Sequence, residues 1–295
     1  MSRSLELCLR LLILGACLLY LLLNYKEFST LTQLKGEYLA AIGTAILAFF
    51  AATGLTFALL LKLVGLRLTL FETVALSFLT NVINYLAPLR PGAAAKAAYL
   101  KLAHKLDYSQ FTSVLAANAF ITLGTTSSCA LMLLFYNALF YGILPLELLL
   151  ASSGMLLIAV ATLLIRNFNF LKPDGDGRVA NYLRRALSGF EAIRDNLPGM
   201  LLVSASLLLQ FLLSGLLMML VYGAIGIPLS YPVALMLGVF TALANLFTIT
   251  PNNLGVQEAA MGYLVMVSGG DFDQGVVGAA VLRAMHILLT FGLGG

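Results

Sequence analysis

The sequence predicts an all-α, polytopic transmembrane helix bundle made of two inverted repeats, each with a broken, re-entrant helical hairpin. Three observations carry that expectation. Predominantly apolar runs of roughly 20 residues, the length that crosses ~30 Å of hydrocarbon, recur along nearly the whole chain. Two further apolar regions are each cut near the middle by proline and glycine. Those two regions also resemble each other, and weak self-similarity of this kind marks membrane folds built from repeats.

Composition agrees. Of 295 residues, 61% are hydrophobic and 10% are charged, whereas soluble domains carry about 25% charged residues. Mean hydropathy is +0.98, and the apolar runs leave no room for a separate soluble catalytic domain. The net charge of +4 does not imply a nucleic-acid partner, because in a polytopic protein the placement of Lys and Arg about the bilayer matters more than their sum. Cys8, Cys17 and Cys129 lie in apolar runs without CxxC spacing or clustered histidines, so neither a disulfide framework nor a metal site is expected.

Taken in chain order, the first element is a span over Leu5 to Leu23. The "LGAC" at Leu14 to Cys17 imitates a lipoprotein cleavage site, but the apolar run continues through "LLYLLL" and no polar mature domain follows, which favours a transmembrane helix over a signal peptide. Full spans then follow at Tyr38 to Leu61, Phe111 to Tyr136, Leu146 to Ile165, Leu201 to Tyr222 and Gly275 to Leu293. Between them, Leu70 to Ala103 is cut by "PLRPG" and Pro232 to Val267 by "PNNLG". Each half is short for a span, and the backbone groups freed at a cut must be buried in protein or line a wet cavity. A pair of short tilted helices joined by a surface turn is the plainer alternative.

Residues 166–199 form the one long polar stretch: "KPDGDG", then "VANYLRRALSGFEAIRDNL", with apolar positions at helical spacing and basic residues between them. This reads as a cytoplasmic linker and a helix lying on the anionic membrane face.

The self-similarity runs through three pairs. "GLRLTL" from Gly65 is echoed by "GIPLSY" from Gly226, Pro88 and Gly92 by Pro251 and Gly255, and "DYSQ" from Asp107 by "DFDQ" from Asp271, at offsets of 161 to 164 residues. The first repeat is expected over residues 1–142, with two spans, the hairpin at 70–103 and a third span. The second occupies 143–295, with the linker at 166–199 and the hairpin at 232–267. Crossings per repeat are odd in number, so the second repeat is inverted. With the N-terminus in the cytoplasm, Arg3, Arg10, Lys62, Arg67, Lys101, Lys105 and the six basic residues from Arg166 to Arg194 lie inside, against Lys26 and Lys35 outside. That is the positive-inside bias.

Arg90, Lys96, Glu258 and Arg283 remain at membrane depth, with His286 nearby. Each intramembrane charge costs ~2.5 to 3.5 kcal/mol on insertion scales and normally faces a bundle interior or water path. Pro88, Pro91 and Gly92 bracket Arg90 at the first break, and "PGAAAK" opens a helix whose free N–H groups point where Arg90 and Lys96 place their cations, a site for an anion such as phosphate. Snorkelling of both cations to headgroups is the alternative. At the second break, Asn252 and Asn253 supply amides, Pro251 and Gly255 the bend, and Glu258 stands in the first turn of the following helix. A terminal cap is the alternative role for Glu258, but Arg283 needs a partner in lipid and Glu258 is the best carboxylate at comparable depth, so a Glu258–Arg283 pair is expected. His286, one turn beyond Arg283, is a weaker candidate for proton handling, against a purely structural role.

These residues resemble the membrane domain of the lysylphosphatidylglycerol synthase/flippase family, including its free-standing members. "PLRPGAAAK" keeps Pro88, Arg90, Gly92 and a basic residue at Lys96 of a P-x-R-x-G-E-x-x-R motif, with Ala93 at the acidic position. "PNNLGVQE" keeps Pro251, Gly255 and Glu258 of P-G-G-x-G-x-x-E, with Asn252 and Asn253 in place of two glycines, and Arg283 matches an arginine of the last helix. The resemblance covers essentially the whole chain and implies lipid translocation without lipid synthesis.

The expected function is therefore movement of an anionic lipid or lipid-linked intermediate across the cytoplasmic membrane by a multi-pass, non-enzymatic protein with its N-terminus inside. No nucleophile-elbow, phosphate-loop or metal-ligand pattern occurs, and no cofactor is implied. Membrane lipids, anionic phospholipid or lipid-linked glycan, are the expected partners; a homo-oligomer and association with envelope biosynthesis enzymes are further readings. A non-transporting scaffold for envelope or glycolipid biosynthesis and a membrane-embedded lipid transferase are the alternatives.

Overall fold

The computed structural model describes residues 36–86, 91–142, 144–165, 177–246, 253 and 255–294. The expected span from Leu5 to Leu23 lies outside them. The described residues form ten helices and no strand: α1 (Gly36–Leu63), α2 (Leu70–Leu86), α3 (Gly92–His104), α4 (Tyr108–Tyr141), α5 (Leu146–Leu164), α6 (Arg178–Arg194), α7 (Leu197–Ala224), α8 (Tyr231–Leu246), α9 (Val256–Val267) and α10 (Phe272–Gly294). Five of them, α1, α4, α5, α7 and α10, are long and apolar enough to cross a membrane. Each matches an expected full span to within a few residues. The two interrupted regions are present as helix pairs, α2 with α3 and α8 with α9.

Two of the three echoed sequence pairs adopt the same local structure. After α1, Gly65 has φ +84° and the Leu66 N–H donates to Leu61 O at 3.0 Å. After α7, Gly226 has φ +81° and the Ile227 N–H donates to Tyr222 O at 2.9 Å. Both are left-handed glycine stops that satisfy carbonyls orphaned at a helix end. At the opposite kind of junction, the Asp107 N–H donates to Gln110 Oε1 at 3.2 Å to open α4, and the Asp271 N–H donates to Gln274 Oε1 at 3.3 Å to open α10. The "D-x-x-Q" echo is thus a repeated helix-start device.

Contacts group the chain into two compact units: the described residues up to Ile46 with Gly215–Leu289, and Leu47–Ser214 with the residues from Thr290 onward. In the first unit, α9 and α10 touch backbone to backbone. A Cβ on Gly275 would stand 2.5 Å from Gly262 Cα, so only glycine admits this approach, as is common where membrane helices pack closely. The Tyr222 hydroxyl donates to Gly275 O at 2.9 Å and satisfies a buried phenol.

In the second unit, α1 and α7 are tied by side chains. Thr56 Oγ1 and Ser206 Oγ lie 2.7 Å apart, Gln210 Nε2 donates to Thr56 Oγ1, and the Thr53 hydroxyl donates to Gln210 Oε1 at 3.2 Å. Thr125 and Ser204 join α4 to α7 at 3.1 Å. In lipid, where apolar packing gives helices little reason to associate, such pairs fix their register.

Helix α4 has 34 residues, about 51 Å at 1.5 Å each and well beyond ~30 Å of hydrocarbon. Its N-terminal part is covered by α6. Ala186, Phe190 and Ile193 are buried, the Ser113 hydroxyl donates to Ala186 O at 2.8 Å, and the Phe120 and Phe190 rings meet edge to face at 5.7 Å. The apolar stripe expected to face the membrane is spent on α4 along this part of α6, while Val179 and Leu183 in its first turns stay exposed.

Candidate functional site

At the second break, Gly255 has φ +82° and is the N-cap of α9. Its N–H donates to Glu258 Oε2 at 2.8 Å, the reach-back of an N3 carboxylate. The other oxygen, Glu258 Oε1, lies 2.6 Å from Arg283 Nε on α10. The two roles expected as alternatives for Glu258 are therefore combined in one side chain. Glu258 is 17% exposed and Arg283 13%, so the pair is removed from solvent. Arg283 Nη2 also reaches Gln257 Oε1 at 3.5 Å.

Asn253 is fully buried with φ +51°, a left-handed conformation that asparagine tolerates better than most side chains. Its Nδ2 donates to Asn245 Oδ1 at 2.8 Å, which ties the break back to the end of α8. Pro251 and Asn252 lie outside the described residues. His286 turns back onto its own helix, with Nδ1 3.1 Å from Leu282 O. A carbonyl only accepts, so in this contact Nδ1 carries the proton.

At the first break, Pro88 and Arg90 lie outside the described residues. Pro91 is the N-cap of α3, where its fixed φ and missing N–H are harmless. Gly92 is buried against α2: its N–H donates to Asn84 Oδ1 at 2.9 Å, and a Cβ there would meet Thr80 O at 2.4 Å. Gly92 is thus a point of close approach between the hairpin arms. The Lys96 ammonium sits 4.1 Å from the centroid of the Phe57 ring on α1, a cation–π contact that partly compensates a desolvated charge.

Several residues at the breaks escaped the sequence reading. Asn84 and Asn245 each stand near the end of a hairpin's first arm and accept a hydrogen bond from beyond the break. The signal was available, since they are separated by the same 161 residues as Gly65 and Gly226. Gln257 carried no signal, being an ordinary amide until the fold brings it to Arg283. At the open end of the first hairpin, Glu72 Oε1 accepts from the Tyr99 hydroxyl at 2.8 Å and lies 2.6 Å from His104 Nε2.

Residues 7–294 match the profile of the family described as the lysylphosphatidylglycerol synthase TM region. The chain belongs to this family. It is a multi-pass membrane protein, with family membership extending over both broken hairpins and all five described spans. No curated protein and no solved structure matches it.

Proposed function

We propose that this member of the lysylphosphatidylglycerol synthase TM region family moves an anionic lipid, or a lipid-linked intermediate with an anionic headgroup, across the cytoplasmic membrane. The observation that carries the reading is the Glu258–Arg283 contact at 2.6 Å between two apolar helices. A buried ion pair is a poor way to gain stability, because apolar residues of similar volume do as well or better. Its retention fits a site whose partners exchange. A phosphate group approaching Arg283 would displace Glu258 Oε1, while Glu258 Oε2 would keep the Gly255 N–H and the positive end of α9. Release of the arginine therefore leaves neither charge stranded, and the process reverses when the lipid departs.

In this reading the two hairpins belong to inverted repeats, the N-terminus faces the cytoplasm, and Arg90 and Lys96 receive the headgroup from inside. Lys96 would exchange the Phe57 ring for phosphate. No bond is made or broken, and a gradient or the lipid's own imbalance supplies the drive.

The test is reconstitution into liposomes with a labelled anionic phospholipid, following its appearance in the opposite leaflet. Wild type should move the label, and Arg283→Ala and Glu258→Ala should not. Equal movement in all three, or none in wild type, overturns the proposal.

A further inference from the structure

We propose a second lipid site on this chain: a trough between α3 and α4 that holds one acyl chain of a phospholipid, with an anionic headgroup docked at the junction of α3, α4 and α6. It is separate in residues from the Glu258–Arg283 pair and does not depend on transport.

The trough has a volume of about 390 Å³, within the ~300 to 1,000 Å³ of small-molecule sites. Ala93, Ala94 and Ala97 form one wall, and Phe111 and Leu115 the other. Ala93, Ala97 and Lys101 follow one another at four-residue spacing, so they form one row along α3. That row runs eight residues, about 12 Å of helix, close to the ~15 Å depth of one leaflet. At one end are methyl groups; at the other are Lys101 and the hydroxyls of Tyr108, Thr112 and Tyr182.

This polar end is assembled rather than incidental. The Lys101 ammonium stands 4.3 Å from the Tyr108 ring centroid. Tyr182 Oη, from α6, lies 2.5 Å from Thr112 Oγ1 and 3.5 Å from the Tyr108 carbonyl. Arg178 and Arg185 flank Tyr182 one turn to either side along α6, and both are exposed, as are Lys101 and Lys105. Against these four cations stand Asp107 and, already engaged by Tyr99 and His104, Glu72. The apolar length ends in excess positive charge and amphipathic aromatic rings, the combination that settles at the boundary between acyl chains and anionic headgroups. Leu102 and Val179, 85% and 71% exposed beside the same cations, extend that boundary.

Ala93 lies in the wall of the trough. A carboxylate there would put a charge or an unpaired acid against an acyl chain, whereas a methyl group leaves the wall apolar.

Native mass spectrometry of the full chain in mild detergent, titrated with phosphatidylglycerol or phosphatidylcholine of matched acyl chains, tests the proposal. Wild type should retain one tightly held lipid and prefer phosphatidylglycerol. Lys101→Gln should reduce that preference about fivefold, the worth of one interfacial cation. Ala94→Phe, which fills the trough from an exposed position, should remove the tight adduct of both lipids, and Tyr182→Phe serves as a second, milder probe of the polar end. Lys101→Gln should still move labelled phospholipid in the liposome assay as wild type does, so failure of this site and failure of transport are read separately. The proposal is overturned if wild type binds both lipids equally, if Lys101→Gln keeps the full preference, or if a folded Ala94→Phe protein retains the adduct.

Discussion

The two broken hairpins are framed by the same turns but held together by different chemistry at the break. Left-handed glycines at Gly65 and Gly226 precede them, and Asp–Gln starts at Asp107 and Asp271 follow them. Inside each, an asparagine at the end of the first arm, Asn84 or Asn245, accepts a hydrogen bond from across the break. Beyond that they part. The second hairpin's break carries an ion pair and a reach-back cap on Glu258, whereas the first has Gly92 pressed on α2 and Lys96 on an aromatic ring. Their open ends differ too. Glu72 and His104 cross-link the first hairpin, while the positions 161 and 164 residues on are Val233 and Ser268. The shared parts are those any interrupted membrane helix needs, because freed backbone must find partners. The parts that differ are ionic, and they are where two similarly framed hairpins can take different tasks.

The largest effect that would sharpen this comparison is expected at Arg283. Arg283→Ala removes one of the two partners of the Glu258 carboxylate and should cost about 3 kcal/mol in unfolding free energy, the low end of the penalty for breaking a buried pair, because the Gly255 N–H remains. The double variant Glu258→Gln with Arg283→Met should recover most of that stability in detergent unfolding experiments while remaining inactive in liposomes. Lys96→Met removes a cation–π contact and no ion pair, so its loss should be about 1 kcal/mol or less. Equal losses at Arg283 and Lys96 would erase the distinction between the two breaks.

Next comes Gly92→Val. The added atoms must displace α2 from Thr80 O, and overpacking of this kind costs about 1–3 kcal/mol. Protease sensitivity should rise at the first hairpin and not at the second. The asparagines should follow, with Asn84→Ala and Asn245→Ala each losing about 1–2 kcal/mol by removing the better acceptor of a buried donor. Similar losses at both would support the shared device, and a neutral result at either would break the parallel. The smallest effect is expected for Glu72→Gln, whose carboxylate is partly exposed; thermal unfolding should shift less than for either asparagine, and hydrogen exchange should quicken at the start of α2 and the end of α3.

Much of this was open to a reading of residues alone. The five described spans were legible because a bilayer demands long apolar helices, and the interruptions because proline and glycine cannot continue them. The likeness of "GLRLTL" to "GIPLSY" signalled real turns, since left-handed glycine stops have strict local requirements. The pairing of Glu258 with Arg283 was also within reach, as a charge at membrane depth leaves few candidates for its partner. Other parts were beyond it. Whether Glu258 caps α9 or binds Arg283 depends on where two oxygens point, and the fold lets one carboxylate do both.

The sequence by itself determined that this is a multi-spanning helical membrane protein with two interrupted segments, because hydropathy, helix-breaking residues and charge placement are local properties read along one dimension. Only the tertiary structure decided that Lys96 rests on Phe57, that α6 covers α4, that Gln257 joins Arg283 and that alanines of α3 face a trough. Each depends on the rotation and approach of helices distant in sequence, which side-chain packing fixes and no periodicity records.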